Sequence, residues 1–206
     1  MTFTCSGARA VASEEKAPRE IPIHLPTETI RALLTSRVTQ LRFPVQGRPR
    51  FAYACADARG QLTGDFFVSM QSDATRGIVG QCPFGQPGDI LWVREDWQTA
   101  TDGSLRYRIQ ALAEHDEDAK WCPAISMPRS ASRLSVVVVS ASVSRLRTMT
   151  QKDARAHGYV SVPGKSALEK FREGWDATNP RTPCSADPWA WILEVNSVIG
   201  ACAATA

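Results

Sequence analysis

A turn followed by a short apolar run brings three charged residues to one point in the sequence. Two prolines and two glycines fall between positions 83 and 88, a density that neither a helix nor a central strand tolerates. Residues 90–93 are apolar, as in a buried strand. Arg94, Glu95 and Asp96 follow at once. Such a scaffold can present polar side chains to a ligand; the alternative is an ordinary solvated charge cluster at a strand end.

Arginines recur at comparable places along the chain. The guanidinium group makes planar, two-point contacts to phosphates and base edges, and an indole ring can stack on a base. For Trp97, stacking on a base and packing in the core are equally expected. Trp92 lies inside the apolar run and is expected in the core. The candidate nucleic-acid-binding residues are Arg37, Thr39, Arg42, Arg94, Glu95, Trp97, Arg129 and Arg133.

Composition limits the class of protein. The 206 residues include 24 Lys or Arg and 21 Asp or Glu, a net charge of +3 that is compatible with a nucleic-acid partner. Six cysteines without CxxC spacing and three histidines predict no metal site, and we expect no cofactor. No apolar stretch approaches the ~20 residues that cross a bilayer, and residues 1–20 lack the apolar core of a signal peptide. We therefore expect free thiols, no membrane partner and a cytoplasmic location.

The first half of the chain is predicted to contain a leader, one helix and several strands. Residues 1–20 show no clear period, which predicts a disordered leader. A strand at 21–25 precedes a helix that begins near Thr27 and has one apolar stripe. Further strands are predicted at 39–45, 51–56, 66–70 and 105–112, the last forming a hairpin with the strand at 90–93. The acidic run 114–118 is expected to be a solvated loop.

The second half contains the most strand-like segment, residues 134–143, in which 136–139 are apolar on both faces and predict a central strand. Thr150 and Asp153 predict a capping box, with the helix ending near Gly158. A second helix is expected at 166–175, a last strand at 189–195 and a frayed tail at 199–206. The predicted fold is α+β: a mixed or closed sheet of about five to seven strands with two or three short helices, in one domain from 21 to 198.

Four segments between residues 32 and 194, distributed over the predicted domain at 21–198, resemble the ASCH family of the PUA-like superfamily, specifically its phage and prophage members. Residues 32–42 (ALLTSRVTQLR) look like the helix-to-strand signature of the family, which usually ends in GRKTQTR. Residues 82–95 (CPFGQPGDILWVRE) resemble the prophage turn-strand motif, and 125–133 (ISMPRSASR) resemble its MPRWASR segment. The dipeptide WD at 175–176 and the segment DPWAWILE at 187–194 are similar to the C-terminal strand of the family.

The resemblance implies a PUA-like β-barrel with a cleft for RNA, DNA or a modified nucleoside. Small relatives in the superfamily include amidohydrolases that deacylate a modified cytidine with a Lys, a Thr and a Glu. By position, the Lys falls on Val38 and the Thr on Leu41, which cannot take a proton or act as a nucleophile. Glu95 is a loose match for the acid, and Ser130 stands where relatives carry a stacking Trp.

Three functions are compatible with the sequence. The first is a PUA-like module that binds single-stranded or structured RNA, DNA or a modified nucleoside, without catalysis. The second is an amidohydrolase-like enzyme acting on a modified nucleoside, with Glu95 as general acid or base and Thr39 as a hydroxyl partner. The third is a phage morphogenesis or host-interaction scaffold, because a fold does not fix a function.

Overall fold

The computed structural model describes residues 17–45, 51–56, 62–69, 78–111 and 120–199. Its strands are β1 (Glu20–His24), β2 (Gln40–Pro44), β3 (Phe51–Ala56), β4 (Leu62–Ser69), β5 (Ile78–Gln81), β6 (Ile90–Arg94), β7 (Trp97–Thr99), β8 (Leu105–Tyr107), β9 (Leu134–Arg145) and β10 (Trp189–Ile199). Its helices are α1 (Thr27–Leu33), α2 (Arg108–Ala111), α3 (Gln151–Ala156) and α4 (Ala167–Thr178). None of these helices is both long and apolar enough to cross a membrane.

A five-stranded mixed sheet, in the order β1-β6-β9-β10-β2, organises the fold. Strand β1 runs parallel to β6, and the other neighbours are antiparallel. The predicted strands around Trp92, Val136 and Trp191 are thus confirmed as members of one sheet. The order is open, with β1 and β2 at its edges, so the described strands do not close into the expected barrel. Strands β3–β5 and β7–β8 form two smaller antiparallel sheets.

The alternation of side chains along β6 divides the interior between two faces of the sheet. Leu91 and Val93 point into the main core, with Val136, Val138 and other residues of β2, β9 and β10. Trp92 points to the opposite face, where it packs with Tyr107, Met127 and Ala131. Charged groups that follow β6 are therefore held by a strand that is buried on both faces.

Strand β9 is the central strand that the sequence predicts, with one local difference. The pairing with β10 shifts between Glu194 and Val195, which pair with Ser140 and Val138. Val139 is the extra residue of this bulge, and it is 46% exposed instead of buried. A valine run alone does not reveal a bulge, because the bulge depends on the register of the partner strand.

The hairpin predicted for 105–112 is wrong in its partner and its length. Strand β8 ends at Tyr107 and pairs with β7 rather than with β6. The chain then continues as the short helix α2. A hairpin partner directly after Arg94, Glu95 and Asp96 was missed because those charges were interpreted as the end of the strand unit.

The two C-terminal helices begin with capping boxes. The predicted box of α3 is confirmed: Thr150 Oγ1 accepts from Asp153 N, and the Asp153 carboxylate accepts from Thr150 N at 2.8 Å. Ser166 and Glu169 make the same arrangement at α4. Together α3 and α4 bury a second apolar cluster that includes Tyr159, Phe171 and Trp175. These helices cover one end of the main sheet, next to β2.

The ordered fold begins before residue 21. Arg19 binds the buried Asp89 carboxylate through its backbone N at 2.9 Å and its Nη2 at 2.6 Å, and Glu20 begins β1. The predicted leader is therefore too long at its C-terminal end. Residues 1–16, the acidic run 114–118 and residues 200–206 lie outside the described residues.

Candidate functional site

A cleft of about 480 Å³ opens where β6 ends. Residues from the ends of β1 and β6 and from α1, α2 and α4 line it, so it lies where several elements meet. We call it the β6 cleft; its lining includes His24, Pro26, Arg94, Glu95, Arg108 and Thr178. Of the residues predicted to bind nucleic acid, Arg94 and Glu95 are in this lining.

Arg94 is the cation of the β6 cleft that no carboxylate of the described residues neutralises. Glu95 pairs with Arg133 at 2.9 Å, and Asp96 pairs with Arg108 at 3.2 Å. The Arg94 guanidinium lies over the Trp92 ring, 5.0 Å from its centroid. Its Nε is buried and has no acceptor among the described residues. A desolvated donor without an acceptor is energetically costly.

Glu95 is held in a buried ion pair. Both carboxylate oxygens accept from the Arg133 guanidinium, at 3.0 and 2.9 Å, and the Glu95 side chain is 3% exposed. Arg133 also lies 3.9 Å from the centroid of the Tyr107 ring. This two-point ion pair gives Glu95 and Arg133 a structural role beside the cleft.

Arg129 and Trp97 lie near the β6 cleft without lining it. Arg129 binds Glu20 through two nitrogens, at 2.9 and 3.1 Å, and lies 5.9 Å from the Trp92 ring centroid. Trp97 is half-buried against the Trp92 cluster, with no partner for its Nε1 among the described residues. Of Arg42, Arg94 and Arg129, only Arg94 therefore lines the β6 cleft together with Glu95.

Arg42 lines a second, smaller cavity of about 140 Å³, which we call the Arg42 pocket. Its floor is formed by Arg42, Phe43, His157, Tyr159, Phe171 and Trp175. It shares His24, Leu25, Pro26 and Thr178 with the β6 cleft. The two cavities therefore adjoin across the turn that joins β1 to α1.

The two polar groups of this floor are unusually buried. The Arg42 side chain is 5% exposed; it donates to Gln40 Oε1, and its Nη2 lies 3.7 Å from Asp153. His157 Nδ1 lies 3.2 Å from Thr29 Oγ1, and Nε2 has no partner among the described residues. Burial, together with the Arg42 cation, lowers the pKa of His157 to about 4. The imidazole is therefore neutral at physiological pH.

The buried His157 predicts a pH-dependent stability. Its pKa falls from 6.5 to about 4 on folding, so between these values the unfolded chain binds the extra proton and stability falls as the pH falls. We expect the free energy of unfolding to drop by about 2 kcal/mol between pH 7 and pH 4.5 through this group. Urea unfolding of wild type and His157→Gln across this range would measure it. Equal slopes for the two proteins would contradict the prediction.

The remaining predicted residues lie elsewhere. Arg37 is exposed and donates to Thr35 Oγ1 at 2.8 Å. Thr39 is exposed and lines a separate depression with Asp153 and Glu194, so it does not meet Glu95. Val38 and Leu41, at the positions of the relatives' Lys and Thr, are 1% and 0% exposed in the main core.

Sequence reasoning missed several residues that line the two cavities: His24, Arg108, His157 and Tyr159. His157 was noticed only as a helix end, and Arg108 only as part of a strand. An isolated histidine beside a C-terminal glycine was the available signal, but it does not distinguish a buried histidine from an exposed cap.

Within the described ranges, no three His, Cys, Asp or Glu side chains are grouped as metal ligands. The chain matches no protein-family model, no curated protein and no solved structure.

Proposed function

We propose that this protein is a PUA-like, ASCH-type module of phage or prophage origin that binds nucleic acid or a nucleotide in the β6 cleft, without catalysis. One observation carries the proposal. Arg94 faces the cleft from a rigid strand, stacked on Trp92, with a buried donor and no carboxylate to neutralise it. A phosphate in the cleft would neutralise this guanidinium, and phosphate contacts of this kind dominate nucleic-acid affinity.

The size and position of the cavities also support a strand-like ligand. The β6 cleft falls within the range of about 300–1,000 Å³ that is usual for ligand sites. The adjoining Arg42 pocket extends it past His24 and Pro26, so that one ligand could occupy both. An open cleft lined by Arg94 beside an aromatic pocket lined by Arg42 fits a chain of phosphates and flat rings better than a compact metabolite.

The proposal excludes deacylation as the main activity. Val38 and Leu41 replace the relatives' Lys and Thr, and both side chains are in the core rather than at a cavity. Glu95 is bound on both oxygens by Arg133. The Glu95 side chain is only 3% exposed and is paired with a cation, which does not suit a proton-transfer group that must reach the substrate.

Binding of labelled single-stranded RNA and DNA at two salt concentrations tests the proposal. We expect saturable binding that weakens as salt rises, and Arg94→Ala should weaken it about tenfold for every sequence and reduce the salt slope by about one. Arg147→Ala is the matched control, because Arg147 is exposed and lines neither the β6 cleft nor the Arg42 pocket. It should leave affinity nearly unchanged.

Two outcomes would count against this function. If the wild-type protein shows no saturable binding at low salt, the cleft is a feature of a scaffold. The hypothesis of a morphogenesis or host-interaction protein then replaces the proposed function. If the protein deacylates an acylated cytidine and Glu95→Gln abolishes this activity, the amidohydrolase hypothesis replaces the proposed function.

A further inference from the structure

The Arg42 pocket has the make-up of a ligand site rather than of a core void. The floor of the pocket has an apolar part, formed by Phe43, Tyr159, Phe171 and Trp175. Arg42 and His157 supply its polar groups. Ligand sites combine mostly apolar lining with a few placed polar groups in this way. Empty core cavities, in contrast, are lined by apolar atoms alone.

Arg42 is a buried cation with a weak counter-charge. The closest approach of its Nη2 to a carboxylate is 3.7 Å, to Asp153. That carboxylate already accepts from Thr150 N and Thr150 Oγ1, both at 2.8 Å, in the capping box of α3. A buried charge is stable only when it is well paired and hydrogen-bonded. The guanidinium therefore has capacity for a further acceptor.

His157 adds a second polar group without a partner. The residue is 3% exposed, and its Nε2 is buried with no hydrogen bond among the described residues. The other ring nitrogen is occupied by Thr29. Because a buried polar atom without a partner is unfavourable, a ligand that supplies Nε2 with a partner would be favoured.

We propose that the Arg42 pocket receives one unstacked, pyrimidine-sized base of the bound strand and reads a carbonyl oxygen on its ring through Arg42 and His157. This inference rests on the proposed function. At about 140 Å³ the pocket is too small for a whole nucleotide, given the usual range of about 300–1,000 Å³, but it adjoins the β6 cleft in which the backbone would lie. Donors on a cationic side chain select an acceptor, and adenine has no carbonyl oxygen.

Short strands of abasic sites that carry a single uracil, a single adenine or no base test this inference separately from the proposed function. The abasic strand measures backbone binding alone. We expect the single uracil to tighten binding about tenfold over the abasic strand, and the single adenine to give little gain. Arg42→Gln should remove the difference in affinity between the uracil strand and the abasic strand. Arg94→Ala should weaken all three strands by the same factor.

The three strands distinguish failure of this inference from failure of the proposed function. If the abasic strand binds but uracil adds nothing, the pocket does not take a base, and the proposed function stands without it. Equal gains from uracil and adenine overturn reading through a carbonyl oxygen. If none of the three strands binds, the proposed function fails and this inference falls with it.

Photocross-linking of the wild-type protein avoids any folding defect of Arg42→Gln. A strand whose single base is 5-iodouracil should cross-link, on irradiation, to an aromatic residue of the pocket: Phe43, Tyr159, Phe171 or Trp175. Mass spectrometry of the digested adduct identifies the residue. Cross-links found only at Trp97, or only outside the Arg42 pocket, overturn the inference.

Discussion

Replacing Arg133 with Met should lower the free energy of unfolding by about 3–5 kcal/mol at pH 7. The Glu95 side chain is 3% exposed, and both of its oxygens accept from Arg133. Without the guanidinium, the carboxylate stays buried with no counter-charge, which is the most costly way to break an ion pair. Methionine keeps an unbranched apolar side chain over the Tyr107 ring, so the loss is mainly electrostatic. Urea unfolding monitored by tryptophan fluorescence measures it.

Arg129→Met provides the matched comparison. Arg129 also binds a glutamate through two nitrogens and also lies against an aromatic ring, but its pair with Glu20 is partly exposed, at 24% and 42%. Exposed pairs contribute about 0–1 kcal/mol. The double variant Glu95→Leu/Arg133→Met should recover most of the loss, because it removes both charges. Equal costs for Arg133→Met and Arg129→Met would contradict the burial of Glu95.

Local pattern was sufficient to predict most of the strands and helices, although not the way in which they assemble. The strands around Leu91, Val136 and Trp191 carry β-branched and aromatic runs, and the capping box at Thr150 and Asp153 depends on residues three positions apart. These signals are local, so a sequence contains them directly. The pairing of β8 with β7, the bulge at Val139 and the open sheet order depend on distant partners, and no window of sequence encodes them.

The same distinction between local and long-range signals applies to the candidate site. Arg94 and Glu95 could be predicted at the end of β6, because the turn and the strand that position them are adjacent in sequence. The Arg42 pocket could not be predicted, because it joins β2 to the end of α3, and His157 meets Thr29 across 128 positions. Arg42 and Arg129 were both predicted to bind nucleic acid, but nothing in the sequence indicates that Arg129 binds Glu20.

The second large effect is expected at Gly158, where Ala should lower the free energy of unfolding by about 4 kcal/mol. Gly158 has φ +100°, which side-chain-bearing residues rarely adopt, at an expected cost of about 1–3 kcal/mol. A Cβ there would lie 2.5 Å from Ala32 Cβ and 3.3 Å from Val38 Cγ2. Both neighbours are fully buried, so overpacking adds about 1–3 kcal/mol.

Gly164→Ala separates these two contributions. Gly164 has φ +78° but no atom within 4 Å of an added Cβ, so the substitution carries backbone strain alone. Thermal and urea unfolding of the two variants should therefore differ by the cost of the contact with α1. If Gly158→Ala costs no more than Gly164→Ala, the end of α3 does not pack against α1 as closely as described. The placement of His157 and Tyr159, which flank Gly158 and line the Arg42 pocket, would then be in question.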